Sequence, residues 1–115
     1  MNSPAAVDDL TITLGVEEEF FLVDPESRDL LADPDPQIFE TCKANQGSHK
    51  VVHEFLRSQI EISTRVCTSV DDVRSALMET RRVMIDGAAR YGATVLATST
   101  HPFAAWDEQL SLIHI

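Results

Sequence analysis

The chain has few basic residues. It contains 9 Lys and Arg residues against 19 Asp and Glu residues, which gives its 115 residues a formal net charge of -10 at pH 7. Nucleic acids and anionic membranes bind to basic surfaces, so we expect neither of them as a partner. An acidic chain instead suits a site that gathers cations.

Cysteines and long apolar runs are also scarce. Cys42 and Cys67 form neither a disulfide framework nor a CxxC metal motif, so we expect both to be reduced structural thiols. No apolar stretch approaches the length of a membrane span. Residues 1–10 have no basic and no apolar region, and we therefore expect no signal peptide. These absences predict a cytoplasmic protein.

The composition is that of a globular protein. Apolar residues make up 43% of the chain and charged residues 24%, which is typical of a folded domain and not of a disordered segment. A chain of this length can bury one core but seldom holds two. We therefore expect one domain, or a piece of a larger one, without internal repeats.

The last six residues differ from the polar segment before them. Residues 110–115 read Leu-Ser-Leu-Ile-His-Ile, which is the translation of CTG TCT CTT ATA CAC ATC, a transposon-end adapter used in DNA library preparation. We interpret residues 110–115 as an adapter-derived, non-native tail on a truncated gene. The alternative is a genuine short apolar strand.

The hydrophobic pattern predicts an α+β fold. Ser69 is a good N-cap for a long helix, and apolar residues recur at helical spacing from Val70 to Tyr91. Alternating apolar residues and turn residues indicate the other elements. In chain order we predict a strand at 11–23, a helix at 35–42, strands at 50–55 and 58–63, a helix at 69–91 and a strand at 93–98. This order is typical of a mainly antiparallel sheet with helices on one face.

Three consecutive glutamates, Glu17, Glu18 and Glu19, lie inside the first predicted strand. Successive side chains of a strand point to opposite faces, so Glu17 and Glu19 share one face while Glu18 lies with the apolar residues. Like charges on a half-buried face are relieved by protonation, by an Arg partner or by a divalent metal. The alternative is a solvated face beside a turn.

Two further glutamates lie in the middle of the chain. Glu61 belongs to the polar face of its strand, and Glu54 precedes it by seven residues. Because seven is an odd interval, the two share a face only if the chain bends or turns near residues 55–57. With such a turn, four carboxylates form an oxygen-only ligand set that suits Mg²⁺ or Mn²⁺. They are those of Glu17, Glu19, Glu54 and Glu61.

Three motifs of the chain stand in a characteristic order. They are Gly15 to Asp24 (GVEEEFFLVD), Glu54 followed by Gln59-Ile60-Glu61, and Thr100-His101-Pro102-Phe103. At these separations they resemble the N-terminal third of the type 2 glutamate-cysteine ligase family, with residues 1–109 as the N-terminal part of a glutamine-synthetase-like catalytic domain.

The resemblance implies an ATP-dependent carboxylate-amine ligase with small-molecule substrates. In such a reaction ATP phosphorylates a carboxylate, such as that of glutamate. An amine, such as that of cysteine, then attacks the acyl phosphate and forms an amide (γ-glutamyl) bond. The cofactors implied are ATP and Mg²⁺ or Mn²⁺.

The resemblance also implies residue roles. The metal ligands would be Glu17, Glu19, Glu54 and Glu61, and the contacts to substrate or phosphate would come from Thr100, His101 and Gln59. For His101 the alternative is a hydrogen bond that orders its loop, and Gln59 would also orient Glu61. Glu18 is left out of the site, and we expect it to pair with an Arg or to lie at a strand edge. We expect His49 and His53 to be structural.

Further strands and basic phosphate-binding residues of the family have no counterpart in these 115 residues. We therefore expect the chain by itself to lack ligase activity. Two other functions stay open. One is a non-catalytic module that binds divalent cations, and the other is an acidic interaction domain whose glutamates are only solvated. The sequence does not indicate an oligomeric state.

Overall fold

The computed structural model describes residues 11–105, 107, 109 and 110. They form a four-stranded antiparallel sheet with two helices packed on one face, which confirms the predicted α+β class. The elements are β1 (Glu17–Val23), α1 (Gln37–Ala44), β2 (Lys50–His53), β3 (Gln59–Ser63), α2 (Val70–Ala89) and β4 (Thr94–Leu96). Neither helix in this part of the chain is long and apolar enough to cross a membrane.

The first strand is shorter than the sequence pattern predicts. The pattern indicates a strand over residues 11–23, but β1 begins at Glu17. Before it, Leu14 forms only an isolated bridge with Cys67, and Ile12 is exposed. The alternation of residues 11–16 therefore has no neighbouring strand, within the described residues, that continues the ladder. The other elements lie where predicted, with bounds that differ by a few residues.

The order of the strands makes β1 and β3 central. The sheet runs β2-β3-β1-β4. β3 pairs with β1, where Glu61 lies opposite Glu19, and with β2, where Glu61 lies opposite Val52. β4 pairs with the other edge of β1, with Leu96 opposite Phe21. These registers decide which side chains share a face.

The hydrophobic core lies between the sheet and the two helices. The sheet contributes the buried side chains of Phe20, Leu22, Val51, Ile60 and Ile62. The helices contribute Ile38, Cys42, Met84 and Ala88. Even-numbered positions of β1 and β3 therefore face the helices, and odd-numbered positions face away from them.

Helix α2 is capped as the sequence predicts. The Ser69 hydroxyl accepts the backbone N–H of Asp72 at 3.0 Å, which satisfies a free donor of the first turn. Arg65 donates to the Asp72 carboxylate at 2.6 Å and holds the pKa of that carboxyl below its ordinary value. Beyond the other end, Gly92 has a φ of 73°, which favours glycine. The caps thus confirm the predicted extent of α2 to within two residues at each end.

The two helices cross closely at Gly87. A Cβ atom built at Gly87 would overlap the Sγ atom of Cys42, which is buried. Burial raises the pKa of the Cys42 thiol to about 11, so the thiol stays protonated at neutral pH. The thiol lies 3.7 Å from the carbonyl oxygen of Val83. Only a residue without a side chain fits this crossing.

We predict that Gly87→Ala destabilises the chain by about 1 kcal/mol. Overpacking a core costs about 1–3 kcal/mol, and this loss exceeds the gain of about 1 kcal/mol that Ala brings to a helix interior. Gly15→Ala is the matched control, because nothing surrounds Gly15 closely. Chemical denaturation of both variants measures the difference, and adding Cys42→Ala should recover part of it. A Gly87→Ala chain as stable as its parent would contradict the close crossing.

Candidate metal centre

Two of the three consecutive glutamates lie on the face of the sheet that points away from the helices. Glu17 and Glu19 are exposed there. Glu18 lies on the helix side, where its carboxylate accepts from Arg81 through Nη2 at 2.7 Å and Nε at 3.1 Å. The predicted Arg partner of Glu18 is confirmed. We call the opposite side the acidic face, defined by Glu17, Glu19, Glu54 and Glu61.

A turn between β2 and β3 places Glu54 on the acidic face. The two strands pair antiparallel with His53 opposite Ile60. Glu54 therefore lies level with Gln59, which shares a face with Glu61. The turn that the odd spacing of Glu54 and Glu61 requires is present between the two strands.

Three carboxylates form a compact group on the acidic face. Glu19 lies directly opposite Glu61, and Glu54 reaches them from the end of the hairpin. One carboxylate oxygen from each residue lies within 4.8 Å of the other two. Glu17 is on the same face but outside this compact group, level with Ser63. The structure thus brings together three of the four predicted ligands, and metal binding by all four stays a prediction.

Negative charge accumulates in the compact group. A hydrogen bond shared with Glu54, burial, and the charges of Glu54, Glu17 and Glu19 raise the pKa of Glu61 from its ordinary 4.5 to about 7. The Glu61 carboxyl therefore keeps its proton to a higher pH than an isolated glutamate does. Within the described residues, no Lys or Arg forms an ion pair with any member of the group.

The donor set of the compact group fits a hard divalent cation. Its three donors are carboxylate oxygens, which Mg²⁺ and Mn²⁺ prefer, and neither His nor Cys belongs to it. A cation there would neutralise the repulsion that raises the pKa of Glu61 and would take the place of the Glu61 proton. Because Glu19 is exposed, water or phosphate oxygens can complete the coordination, as is usual for Mg²⁺.

Gln59 and Thr100 differ in their position relative to the compact group. Gln59 lies on the acidic face, two residues from Glu61 and opposite Phe21. Thr100 is exposed in the loop after β4, and its carbonyl oxygen accepts from the Thr98 hydroxyl at 3.0 Å. The predicted contacts of Gln59 and Thr100 with substrate or phosphate stay predictions.

His101 is buried, and both of its ring nitrogens are bonded within the chain. Nδ1 lies 3.1 Å from the backbone nitrogen of Ala104 and 3.3 Å from that of Phe103. Nε2 lies 2.9 Å from the carbonyl oxygen of Arg28. The loop-ordering alternative describes this arrangement. In it both ring nitrogens already have partners within the chain, and the predicted contact of His101 with substrate or phosphate stays a prediction.

His49 and His53 have structural contacts, as the sequence predicts. His49 is buried, accepts the backbone N–H of Arg65 at 3.0 Å and lies 2.8 Å from Glu79. The His53 ring stacks on Phe39 with centroids 3.4 Å apart. Neither histidine belongs to the compact group.

Two residues beside the site, Phe21 and Arg28, are not among those predicted from the sequence. Phe21 follows Glu19 by two residues, so the strand pattern already places it on the acidic face. The His101 ring lies edge-on to it, with centroids 6.1 Å apart. The contact of His101 with the Arg28 carbonyl spans 73 residues and has no signal in the sequence.

Comparison with known proteins shows the family of this chain. Residues 13–114 match "Glutamate-cysteine ligase family 2 (GCS2)". The chain belongs to glutamate-cysteine ligase family 2. The match includes residues 110–114 and so overlaps the segment interpreted as adapter-derived. That interpretation stays a prediction, and residues 111–115 lie outside the described part of the family 2 chain.

Several curated proteins named "Putative glutamate--cysteine ligase 2" are similar to this family 2 chain. The one from Jannaschia sp. (strain CCS1) is 45% identical over 97 residues, and the one from Rhodospirillum rubrum 44% over 99 residues. The one from Rhodopirellula baltica is 43% identical over 95 residues. The alignments cover 84%, 84% and 78% of this chain and 25% of each relative. The chain therefore spans about a quarter of the length of these relatives.

We predict that Glu19→Gln, Glu54→Gln and Glu61→Gln each weaken Mn²⁺ binding by the family 2 chain by about tenfold or more. Loss of a ligand should cost at least as much as loss of a group behind a ligand, which typically costs about 10–100-fold. Glu17→Gln should have a smaller effect, through charge alone. Titration calorimetry measures the affinities. Glu18→Gln is the matched control, and an affinity as low as that of Glu19→Gln in this control would argue against the site.

We predict that the metal-free chain loses stability as the pH rises from about 5 to about 8. The pKa of Glu61 is about 7 when folded and 4.5 ordinarily, so its contribution is complete below the lower value and is lost through the higher one. Thermal unfolding with a chelator, over this pH range, measures the change. Glu61→Gln should flatten the profile, and Mn²⁺ should restore stability at the alkaline end. Identical profiles for parent and variant would show that Glu61 is not the titrating group.

Proposed function

We propose that this family 2 chain supplies the metal-binding face of an ATP-dependent carboxylate-amine ligase. The compact group of Glu19, Glu54 and Glu61, in a chain of the glutamate-cysteine ligase family, supports the proposal. The names of the relatives contain glutamate and cysteine, so we propose these as the carboxylate and the amine. The product would be an amide formed through an acyl phosphate.

The acidic face suits a reaction that transfers a phosphoryl group. Such transfer depends mainly on positioning and on neutralising the charge that develops on phosphate oxygens. A bound Mg²⁺ or Mn²⁺ would supply that neutralisation. Glu19, Glu54 and Glu61 would hold the cation, and Glu17 would add negative charge beside them. Gln59 and Thr100 would contact the substrate or phosphate.

The proton that Glu61 holds near neutral pH has a role in this proposal. It lowers the repulsion among the three carboxylates while no cation is bound. The Glu61 carboxylate would hold a cation only after it has lost this proton, so the affinity for Mg²⁺ should increase as the pH approaches the raised pKa of Glu61, about 7. The three carboxylates can therefore lie close together in the metal-free chain without the repulsion of three full negative charges.

We also propose a cytoplasmic location. Both cysteines of the chain, Cys42 and Cys67, are free and buried, which suits a reducing compartment. The ATP that the proposed ligase consumes is available there.

The ligase proposal predicts activity from a longer reading frame. The locus would be resequenced across position 110, and the product of the continuous frame would be assayed for ADP formation with ATP, Mg²⁺, glutamate and cysteine. We expect turnover, and we expect Glu19→Gln to lower kcat by about 100-fold or more, because a metal supplies several kcal/mol of charge stabilisation. Glu18→Gln serves as the control, with near-parental turnover.

Each outcome of this experiment discriminates among the candidate functions. The 115-residue chain should form no ADP. Turnover by it would contradict the proposal that this chain supplies only the metal-binding face of the ligase. Mn²⁺ binding by the chain, with no ADP formed by the longer product, would favour a non-catalytic cation-binding module. Absence of Mn²⁺ binding, with unchanged folding in Glu17→Gln and Glu61→Gln, would favour an acidic interaction domain.

A further inference from the structure

His101 joins two loops that are far apart in the sequence. Its Nδ1 lies 3.1 Å from the amide nitrogen of Ala104 and 3.3 Å from that of Phe103, and its Nε2 lies 2.9 Å from the carbonyl oxygen of Arg28. An amide N–H can only donate and a carbonyl oxygen can only accept. We therefore assign to His101 the neutral tautomer that carries its proton on Nε2, because Nδ1 accepts and Nε2 donates.

The turn of residues 24–28, whose Arg28 carbonyl accepts this hydrogen bond, is held by hydrogen bonds of its own. The Asp24 carboxylate accepts the backbone N–H groups of Glu26 and Ser27, each at 2.9 Å. The backbone N–H of Arg28 bonds to the Asp24 carbonyl at 2.9 Å. Arg28 itself has a φ of 67°, in the left-handed region. The Arg28 carbonyl is therefore presented to His101 by a turn with its own internal hydrogen bonds.

The His101 ring also covers one end of the acidic face. It lies edge-on to Phe21, with centroids 6.1 Å apart, and edge-on to Phe103, with centroids 4.4 Å apart. Phe21 is only 4% exposed, although it belongs to the face on which Glu19 is exposed. Phe21 follows Glu19 by two residues in β1 and lies opposite Gln59 in β3. Packing at Phe21 thus acts on the stretch of β1 that carries Glu19.

We propose that His101 is a positioning residue of the metal centre, which holds the loop of residues 99–105 on the acidic face and, through Phe21, fixes the position of Glu19. This inference rests on the proposed function, because it assigns a role within that same site. His101 acts as a neutral imidazole and does not contact phosphate. The alternative is a purely structural role, in which His101 stabilises the fold as a buried histidine elsewhere in the chain would, with no effect on metal binding.

A spectroscopic experiment tests the assignment of the ring. In the ¹⁵N-labelled full chain at about pH 8, the two ring nitrogens of His101 should report a proton on Nε2 and none on Nδ1. Inorganic phosphate is added in the presence and in the absence of Mg²⁺, and no sample contains Mn²⁺. In each case these signals should stay unchanged. A doubly protonated ring, a proton on Nδ1, or a shift on addition of phosphate would overturn the proposal.

A binding experiment tests the positioning role. We expect His101→Ala to weaken Mn²⁺ binding by about 3- to 10-fold, below the roughly 10–100-fold typical of groups bonded directly to a ligand. His49→Ala is the matched control, because His49 is equally buried and makes hydrogen bonds through both nitrogens, to Arg65 and Glu79. Its affinity for Mn²⁺ should match that of the parent.

A conservative variant keeps the test valid if His101→Ala does not fold. In His101→Asn the amide oxygen takes the place of Nδ1 and can accept from Phe103 and Ala104, so it should recover part of the lost affinity. Equal losses in His101→Ala and His49→Ala, or parental affinity in both His101 variants, would overturn the positioning role while the metal site itself stands. A parent chain that binds no Mn²⁺ would instead overturn the proposed function and the centre that His101 positions.

Discussion

The antiparallel pairing of β3 with both β1 and β2 is the constraint on which core and site depend together. It turns Ile60 and Ile62 toward the helices and Glu61 toward Glu19. A slip of one residue would exchange the two faces, so that isoleucines would meet water and glutamates would meet the core. Burial of each isoleucine contributes about 1.5–3 kcal/mol to the stability of the fold. The apolar face therefore determines the register of the strands, and the positions of the carboxylates follow from that register.

The acidic face carries the electrostatic consequence of that register. Glu19 and Glu61 lie directly opposite each other, where like charges destabilise a sheet. The raised pKa of Glu61, about 7, lets this carboxyl hold a proton near neutral pH, which relieves part of the repulsion. Glu18, between two residues of the acidic face, reaches Arg81 on α2 and adds nothing to the charge of the group. Neighbours in sequence thus have opposite roles because the sheet separates them.

The two edges of the sheet differ in what positions the residues beside the site. At the β2 edge, strand pairing positions Glu61, and the turn between β2 and β3 positions Glu54. At the β4 edge, the loop after β4 lies against Phe21, and His101 joins this loop to the turn that contains Arg28. A site on regular strands is inherently precise, whereas a loop needs such cross-links to hold its geometry.

Most of the fold could be predicted from the sequence because its signals are local. Alternation in β1 and β3, the Ser69 cap and the helical spacing after it depend on neighbouring residues, and all of them are found in the structure. The start of β1 could not be predicted, because residues 11–16 alternate like a strand but find only one bridge to Cys67. Strand length depends on the partner strand as well as on the pattern.

The candidate site could be predicted only in part. Alternation alone separates Glu18 from Glu17 and Glu19, and the odd interval between Glu54 and Glu61 demands a turn that the structure contains. Which three carboxylates converge, with Glu17 left outside, depends on side-chain reach across β1, β2 and β3.

The sequence by itself determined the two faces of the sheet, the acidic character of one of them and the membership of the family, since these depend on residue type and order. Only the tertiary structure decided which carboxyl has a raised pKa and that His101 turns both nitrogens inward to Arg28 and its own loop. The physical reason is that these contacts join residues far apart in the chain, where local pattern carries no information about distance or direction.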